Sequence, residues 1–246
     1  LNTFRLDPSW ISPNYEITFL LTSAGVIWTV YLPANITAFL IIVTGYIEAQ
    51  MLALSEEVMH MWDDANNTTK EMHLNGFNNN IRISRKIALE IRNNDRIVNE
   101  YIKVHLHKVI RIHTTNISLL HQVENIFRWA IALEFLLLIA SLIVELLGGL
   151  ENTYIQIPYA LMQVGMDCLT GQRVMDASVA FETAVYDSKW ENFDKANRKT
   201  ILLILQNSQK NMRLSAGGVA MLSFRCFMMI IRSIFSAYTA LRSTMY

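Results

Sequence analysis

Cysteine, net charge and the usual catalytic motifs are scarce or missing in this chain of 246 residues. Its two cysteines, Cys168 and Cys226, lack any CxxC-type spacing. Neither a disulfide framework nor a zinc site is therefore indicated, and both read as small apolar side chains. Lysine and arginine number 21, as do aspartate and glutamate, which removes any reason to expect nucleic acid as a partner. No GxSxG, P-loop or Gly-rich dinucleotide turn occurs, and Gly217–Gly218 has no phosphate-cradling context. His105, His107, His113 and His121 cluster, yet none lies three or four residues from another, the spacing that helical metal ligands need. His60, Asp63 and Asp64 do have that spacing but read as a solvated loop. No enzyme, cofactor or metal is expected.

Long apolar runs are what the chain has instead. Hydrophobic residues make up 52% of it, mean hydropathy is +0.25, and no charged residue occurs from Ile17 to Ile47. One bilayer span needs only about 20 apolar residues, and a soluble core rarely needs such a run. Four membrane segments can be drawn: 17–50, which Pro33 is expected to bend; 128–147, RWAIALEFLLLIASLIVELL; 155–190, interrupted by Asp167, Arg173 and Asp176; and 214–241. The expected class is all-α, a polytopic helical bundle forming one multi-pass domain in the cell membrane. Between the first two spans, residues 51–127 show helical periodicity from Ile81 to Phe127, through Ile87, Ile91, Ile97, Ile102, Val109, Ile112 and Leu119. Only NNTTKEMHLNGFNNN reads as flexible. Residues 197–211 read as a short amphipathic helix before the last span.

Basic residues set the expected orientation. Residues 51–128 hold ten of the 21, the GGLENT turn at 148–153 holds none, and the stretch from Lys189 to Arg213 holds six. Residues 1–16, the turn at 148–154 and the C-terminus are therefore expected outside, and the two basic stretches inside. The sequons at Asn35, Asn66, Asn67 and Asn116 are then silent, the first within a span and the others cytoplasmic. The chain begins with Leu, with no signal peptide before the first span, and reads as a fragment lacking its N-terminus.

Charges inside apolar segments are expensive and usually paired or turned to water. Arg225 and Arg232 stand seven residues apart, on one helical face with Gly218, Met221, Met229, Ser236, Thr239 and Ser243. The opposite face, Ala216, Ala220, Phe227, Ile230, Ile234 and Leu241, looks suited to lipid. Glu134 and Glu145 share a face with Ser141, so an acidic stripe on the second span is positioned to meet the arginines. Structural ion pairing is weighed here against a role at the border of an ion path.

The last sixty residues are more specific. AVYDSKW, then NRKTILLILQNSQK, then LSAGGVAMLSFRCFMMIIRSIFSAYTALRS resembles the C-terminal signature of insect odorant receptors. In that family a Tyr and a Trp close the sixth helix, here Tyr186 and Trp190. A Leu-Ser pair recurs in the seventh, here Leu222–Ser223, and a Ser-x-Tyr/Phe-Thr-x-Leu run closes it, here Ser236, Tyr238, Thr239 and Leu241. HKVIRIHTTNISLLHQVENIF looks like the approach to the fifth helix and SPNYEITF like the start of the fourth. Asn211 stands where the family often has proline, and Arg225 where an acidic residue is frequent.

This resemblance implies helices four to seven of a seven-helix protein with a cytoplasmic N-terminus. It implies a subunit that binds volatile odorants and joins a shared odorant co-receptor in a hetero-tetrameric, ligand-gated cation channel of olfactory neurons, surrounded by membrane lipid. Ser236, Thr239, Ala240 and Ser243 are then the pore-lining positions. Tyr15, Phe19, Thr22 and Ser23, with Tyr159 and Met162, are the odorant-binding candidates, and the cytoplasmic helices around Tyr186 and Trp190 form the inter-subunit anchor. Arg225 and Arg232 would repel cations if unpaired in a pore, so they are expected to pair with acids on neighbouring helices or to sit in a wide vestibule. The alternatives are a gustatory receptor of the same superfamily or a G-protein-coupled type of receptor.

Overall fold

The computed structural model describes residues 13–76, 83–148, 156–210 and 212–245. The first twelve residues, Ile81, residues 149–154 of the expected outer turn and Asn211 lie outside the described residues. Helix α1 (Asn14–Val26) passes through a π turn (Ile27–Tyr31) into α2 (Leu32–Gly76), and α3 (Ile83–Gly148) and α4 (Gln156–Asp187) follow. A 3₁₀ turn (Trp190–Asn192) leads to α5 (Lys195–Ser208). A two-stranded hairpin, β1 (Ser215–Ala216) with β2 (Ala220–Met221), then leads into α6 (Phe224–Met245).

The π turn is the local answer to Pro33. Proline supplies no N–H, so the carbonyl four residues earlier loses its α-helical donor, and widening the turn lets it use the next amide along. The chain therefore stays helical through Pro33 where a break was conceivable.

The core is a seam shared by α2, α3 and α4. Buried positions recur at alternating steps of three and four: Leu40, Thr44, Ile47, Met51, Leu54 and Val58 on α2; Ile102, Leu106, Val109, His113, Asn116, Leu120 and Val123 on α3. That is the spacing of knobs packed into holes between nearly aligned helices. On α4, Ala160, Val164, Val174, Phe181 and Val185 close the third side. The seam runs without interruption from apolar to charged parts of the helices. With 66 residues, α3 is roughly 100 Å long at about 1.5 Å per residue, far more than a bilayer needs.

In the charged part, ion pairs cross between helices. Arg173 meets Glu48 at 2.8 Å, Lys189 meets Asp63 at 2.7 Å, and Glu57 takes both His105 at 2.9 Å and Lys108 at 3.1 Å. Burial raises the Glu57 carboxyl's proton affinity, but the hydrogen bonds from His105 and Lys108 outweigh it and leave Glu57 below the usual carboxylate range. His113, buried against the Phe181 ring at 4.8 Å, has its pKa lowered by that burial. Asp194 caps α5 by accepting from the Asn197 amide at 2.8 Å. Asn99 of α3 ties the same turn down, accepting from the Asp194 amide at 2.9 Å.

Three differences from the sequence reading have physical causes. Residues 66–76, expected to be flexible, continue α2, because Ala65 and Thr69 keep the buried seam going and the Thr69 hydroxyl bonds back to the Ala65 carbonyl at 2.7 Å. Residues 214–223, expected to begin the last helix, form the hairpin instead. Gly217 and Gly218 sit at φ +64 and +76, a left-handed conformation that other residues rarely adopt, and the Gly217 amide bonds the Arg128 carbonyl at 2.8 Å. Third, among the described residues three helices are long and apolar enough to cross a membrane by composition, lying within Leu32–Lys70, Asn94–Leu147 and Phe224–Ser243. α4 misses that mark because it carries Gln163, Asp167 and Gln172, the first two of which turn into the bundle.

The hairpin locks α6 to α4 at one point of very close approach. A Cβ built on Gly171 would lie 2.4 Å from both the Leu222 Cβ and its carbonyl oxygen. Gly171→Ala is therefore expected to push α4 away from the base of α6 and to destabilise the protein by about 1–3 kcal/mol. Gly45→Ala, whose added methyl meets nothing within 4 Å, is the control. Thermal unfolding followed by size-exclusion chromatography in detergent checks this, with the midpoint lowered for the first variant and unmoved for the second.

Candidate functional site

Three groups of residues stand out at the level of the apolar segments. The first is a polar cluster sealed between α2, α3 and α4. The Gln163 amide donates to the Thr37 hydroxyl oxygen at 2.6 Å and to Glu134 Oε1 at 3.1 Å, and the Thr37 hydroxyl donates to Asp167 Oδ1 at 2.7 Å. All four side chains are buried, Asp167 to 1% exposure. The other carboxylate oxygens, Glu134 Oε2 and Asp167 Oδ2, have no hydrogen-bond partner among the described residues. The cluster uses one residue from each of α2 and α3 and two from α4, so it fixes the register of all three helices. Glu134 is thus turned inward, away from the arginines it was expected to meet. Glu145 accepts instead from Ser141, one turn back on its own helix, at 3.0 Å.

The second group is the outward face of α6. Leu222, Cys226, Ile230 and Ile234 are buried against α3 and α4, so Ile230 and Ile234 of the stripe expected to face lipid pack inside the bundle, while Leu241 near its end stays exposed. This corrects the expected outward placement of Ile230 and Ile234. The reason is that the bundle has apolar surface to cover, and α6 offers apolar side chains at steps of four. Arg225, Met229, Arg232, Ser236, Thr239, Ala240 and Ser243 then point away from the chain and are exposed. Among the described residues no carboxylate lies within ion-pair distance of Arg225 or Arg232. Among the described residues the arginines do not pair with Glu134 or Glu145.

Hydroxyl geometry on that face is one-sided. Thr239 donates to the Ser236 carbonyl at 2.9 Å and Ser243 to the Ala240 carbonyl at 2.8 Å. Their hydrogens are therefore tied back to the helix, and oxygen lone pairs face outward. Arg242 donates to the Tyr238 hydroxyl at 2.8 Å and lies 5.9 Å from its ring centre.

The third group is α1 with the start of α4. Tyr15 and Phe19 stack at 6.3 Å, while the Thr22 hydroxyl bonds its own backbone at Thr18 and the Ser23 hydroxyl does so at Phe19. Tyr15, Phe19, Thr22, Tyr159 and Met162 are exposed and Ser23 is partly buried, so the described helices do not enclose them. At the other end, the Trp190 indole donates to the Tyr186 carbonyl at 3.2 Å and packs against the core, with the Tyr186 ring exposed.

The model of the 7tm Odorant receptor family matches residues 2–235. The chain belongs to that family. Among curated proteins, one from Drosophila melanogaster provisionally named odorant receptor 92a is 25% identical over 62% of this chain and 39% of its own length. Odorant receptor 22c of the same fly is 28% identical over 46% of this chain and 30% of its own. The chain thus spans well under half of these relatives. Among solved structures, the insect olfactory receptor OR5 from Machilis hrabei in complex with eugenol matches with a TM-score of 0.51. It covers 86% of this chain and 69% of that one at 10% identity, a likeness of fold. The odorant-receptor chain is therefore an all-α, multi-pass membrane protein and not an enzyme.

Sequence reasoning singled out Glu134 as part of an acidic stripe facing the arginines and Asp167 as a charge interrupting a span, and it passed over Thr37 and Gln163. A legible signal was present: Thr37, Thr44, Gln163 and Asp167 each fall where the three-and-four spacing of their helix calls for a buried residue. Thr37→Val keeps the shape but removes the hydroxyl that joins Gln163 to Asp167. It is expected to cost about 1–3 kcal/mol, since both partners stay buried without it, and to lower the detergent-solubilised receptor's melting midpoint. Asp167→Asn, which keeps an acceptor for Thr37, is expected to cost less.

Proposed function

We propose that this chain is the C-terminal part of an odorant receptor subunit. In this reading the subunit binds volatile small molecules and, with the odorant co-receptor, forms a ligand-gated cation channel of olfactory neurons. The carrying observation is the outward face at the end of α6, where Thr239 and Ser243 tie their hydroxyl hydrogens back to the helix and present oxygen lone pairs, beside Ser236 and the methyl of Ala240. Outward hydroxyl oxygens and small side chains at that end suit hydrated cations. The open apolar surface on α1, including Tyr15 and Phe19, supports an odorant site completed by the part of the receptor that precedes this chain. Tyr159 and Met162 offer the same kind of surface from α4. Basic residues inside and a C-terminus outside complete the arrangement.

Two measurements test this reading. A glycosylation acceptor appended after Tyr246 of the full-length receptor is expected to acquire sugar. An unmodified acceptor, in a protein whose control acceptor in the GGLENT turn is modified, sinks the topology. Co-expressed with the co-receptor, the receptor is expected to carry odorant-evoked cation currents. Phe19→Ala and Met162→Ala are each expected to raise the odorant concentration for half-maximal current about tenfold, the equivalent of ~1.4 kcal/mol. Responses unchanged by both would remove these residues from the binding site.

A further inference from the structure

We propose that the Arg225–Arg232 face of α6 docks against a carboxylate-bearing transmembrane helix of a neighbouring subunit. The proposal rests on the reading of this chain as a subunit of an assembly. Phe224, Arg225, Met228, Met229 and Arg232 line a shallow groove of about 500 Å³ along the outward side of α6. The two guanidinium groups leave the helix about 10.5 Å apart along its axis, at about 1.5 Å per residue. Each offers a planar fork of donors that suits a carboxylate, and the Met and Phe side chains give the groove apolar, adaptable walls.

Other partners fit less well. Among the described residues, three carboxylates of the apolar helices each already accept a hydrogen bond within the bundle: Glu134 from Gln163, Asp167 from Thr37 and Glu145 from Ser141. Lipid alone suits Arg232 poorly: it lies eight residues, about 12 Å, beyond the start of α6, inside a segment apolar enough to cross a membrane. The preceding part of the receptor has a different surface to cover. Phe19, Leu20, Leu21, Trp28 and Tyr31 leave α1 and the start of α2 broadly apolar and open, whereas α6 packs on α3 and α4. In this proposal the hydroxyl end of the stripe lines the pore and the arginine end meets the neighbour.

The test is made in the full-length receptor co-expressed with the co-receptor. Met229, between the two arginines on the same face, is replaced by the photo-crosslinking amino acid benzoylphenylalanine. Illumination is expected to join the receptor covalently to a second, differently tagged subunit. Replacing both arginines with alanine is expected to cut that adduct several-fold at equal surface expression, while Arg232→Lys retains most of it. Arg232→Ala alone is expected to impair assembly more than ion selectivity. Adducts confined to the receptor's own chain or to lipid overturn the proposal. So does an inter-subunit adduct that survives loss of both arginines, or normal assembly with altered selectivity. The crosslink is read without odorant, so an absent odorant response would count against the functional reading and leave this one standing.

Discussion

Everything in this fold is subject to one constraint: a polar group at membrane depth must find its partner inside the protein, because the surrounding medium offers none. The Gln163 amide meets that constraint for three helices at once. One nitrogen reaches both Thr37 of α2 and Glu134 of α3. The Thr37 hydroxyl then passes the connection back to Asp167 of α4. Apolar seams tolerate a slip of one helix past another far better than such a network does, since a slip would strand two buried carboxyls. The cluster thereby sets the register from which the rest of the bundle is laid out, including the face that α4 offers to the hairpin and α6.

α6 follows from that placement. Once α3 and α4 present an apolar groove, the apolar stripe of α6 has somewhere to go, and its polar and basic stripe is left outside. Gly171 allows the helix to start in close contact with α4, and the left-handed Gly217–Gly218 turn aims it. The face with Arg225, Arg232 and the small hydroxyl residues is therefore a product of packing elsewhere. Its basic charges have no counterpart among the described residues, and that imbalance gives the face its meaning.

Much of this was legible in the residues. The uncharged run from Ile17 to Ile47, the span after Arg128 and the signature from Tyr186 to Leu241 gave class and family. The alternation around Val109 and Ile112 foretold the long charged part of α3. Three features were not legible, each for a reason. Buried polar residues such as Asn116 and Gln163 look like breaks in an apolar pattern, although the spacing carries on through them. The hairpin is as apolar as a helix start, and only its paired glycines betray it. The apolar stripe of α6 was expected to face lipid and in part packs inside the bundle, because hydropathy alone cannot tell an apolar face meant for protein from one meant for lipid.

The length of α3 has a mechanical consequence. As one unbroken rod of roughly 100 Å, it can act as a lever. A rotation of about 5° about one end moves the other by roughly 9 Å over that length. Displacements too small to notice among packed side chains at one end therefore arrive at the other as the width of a whole helix.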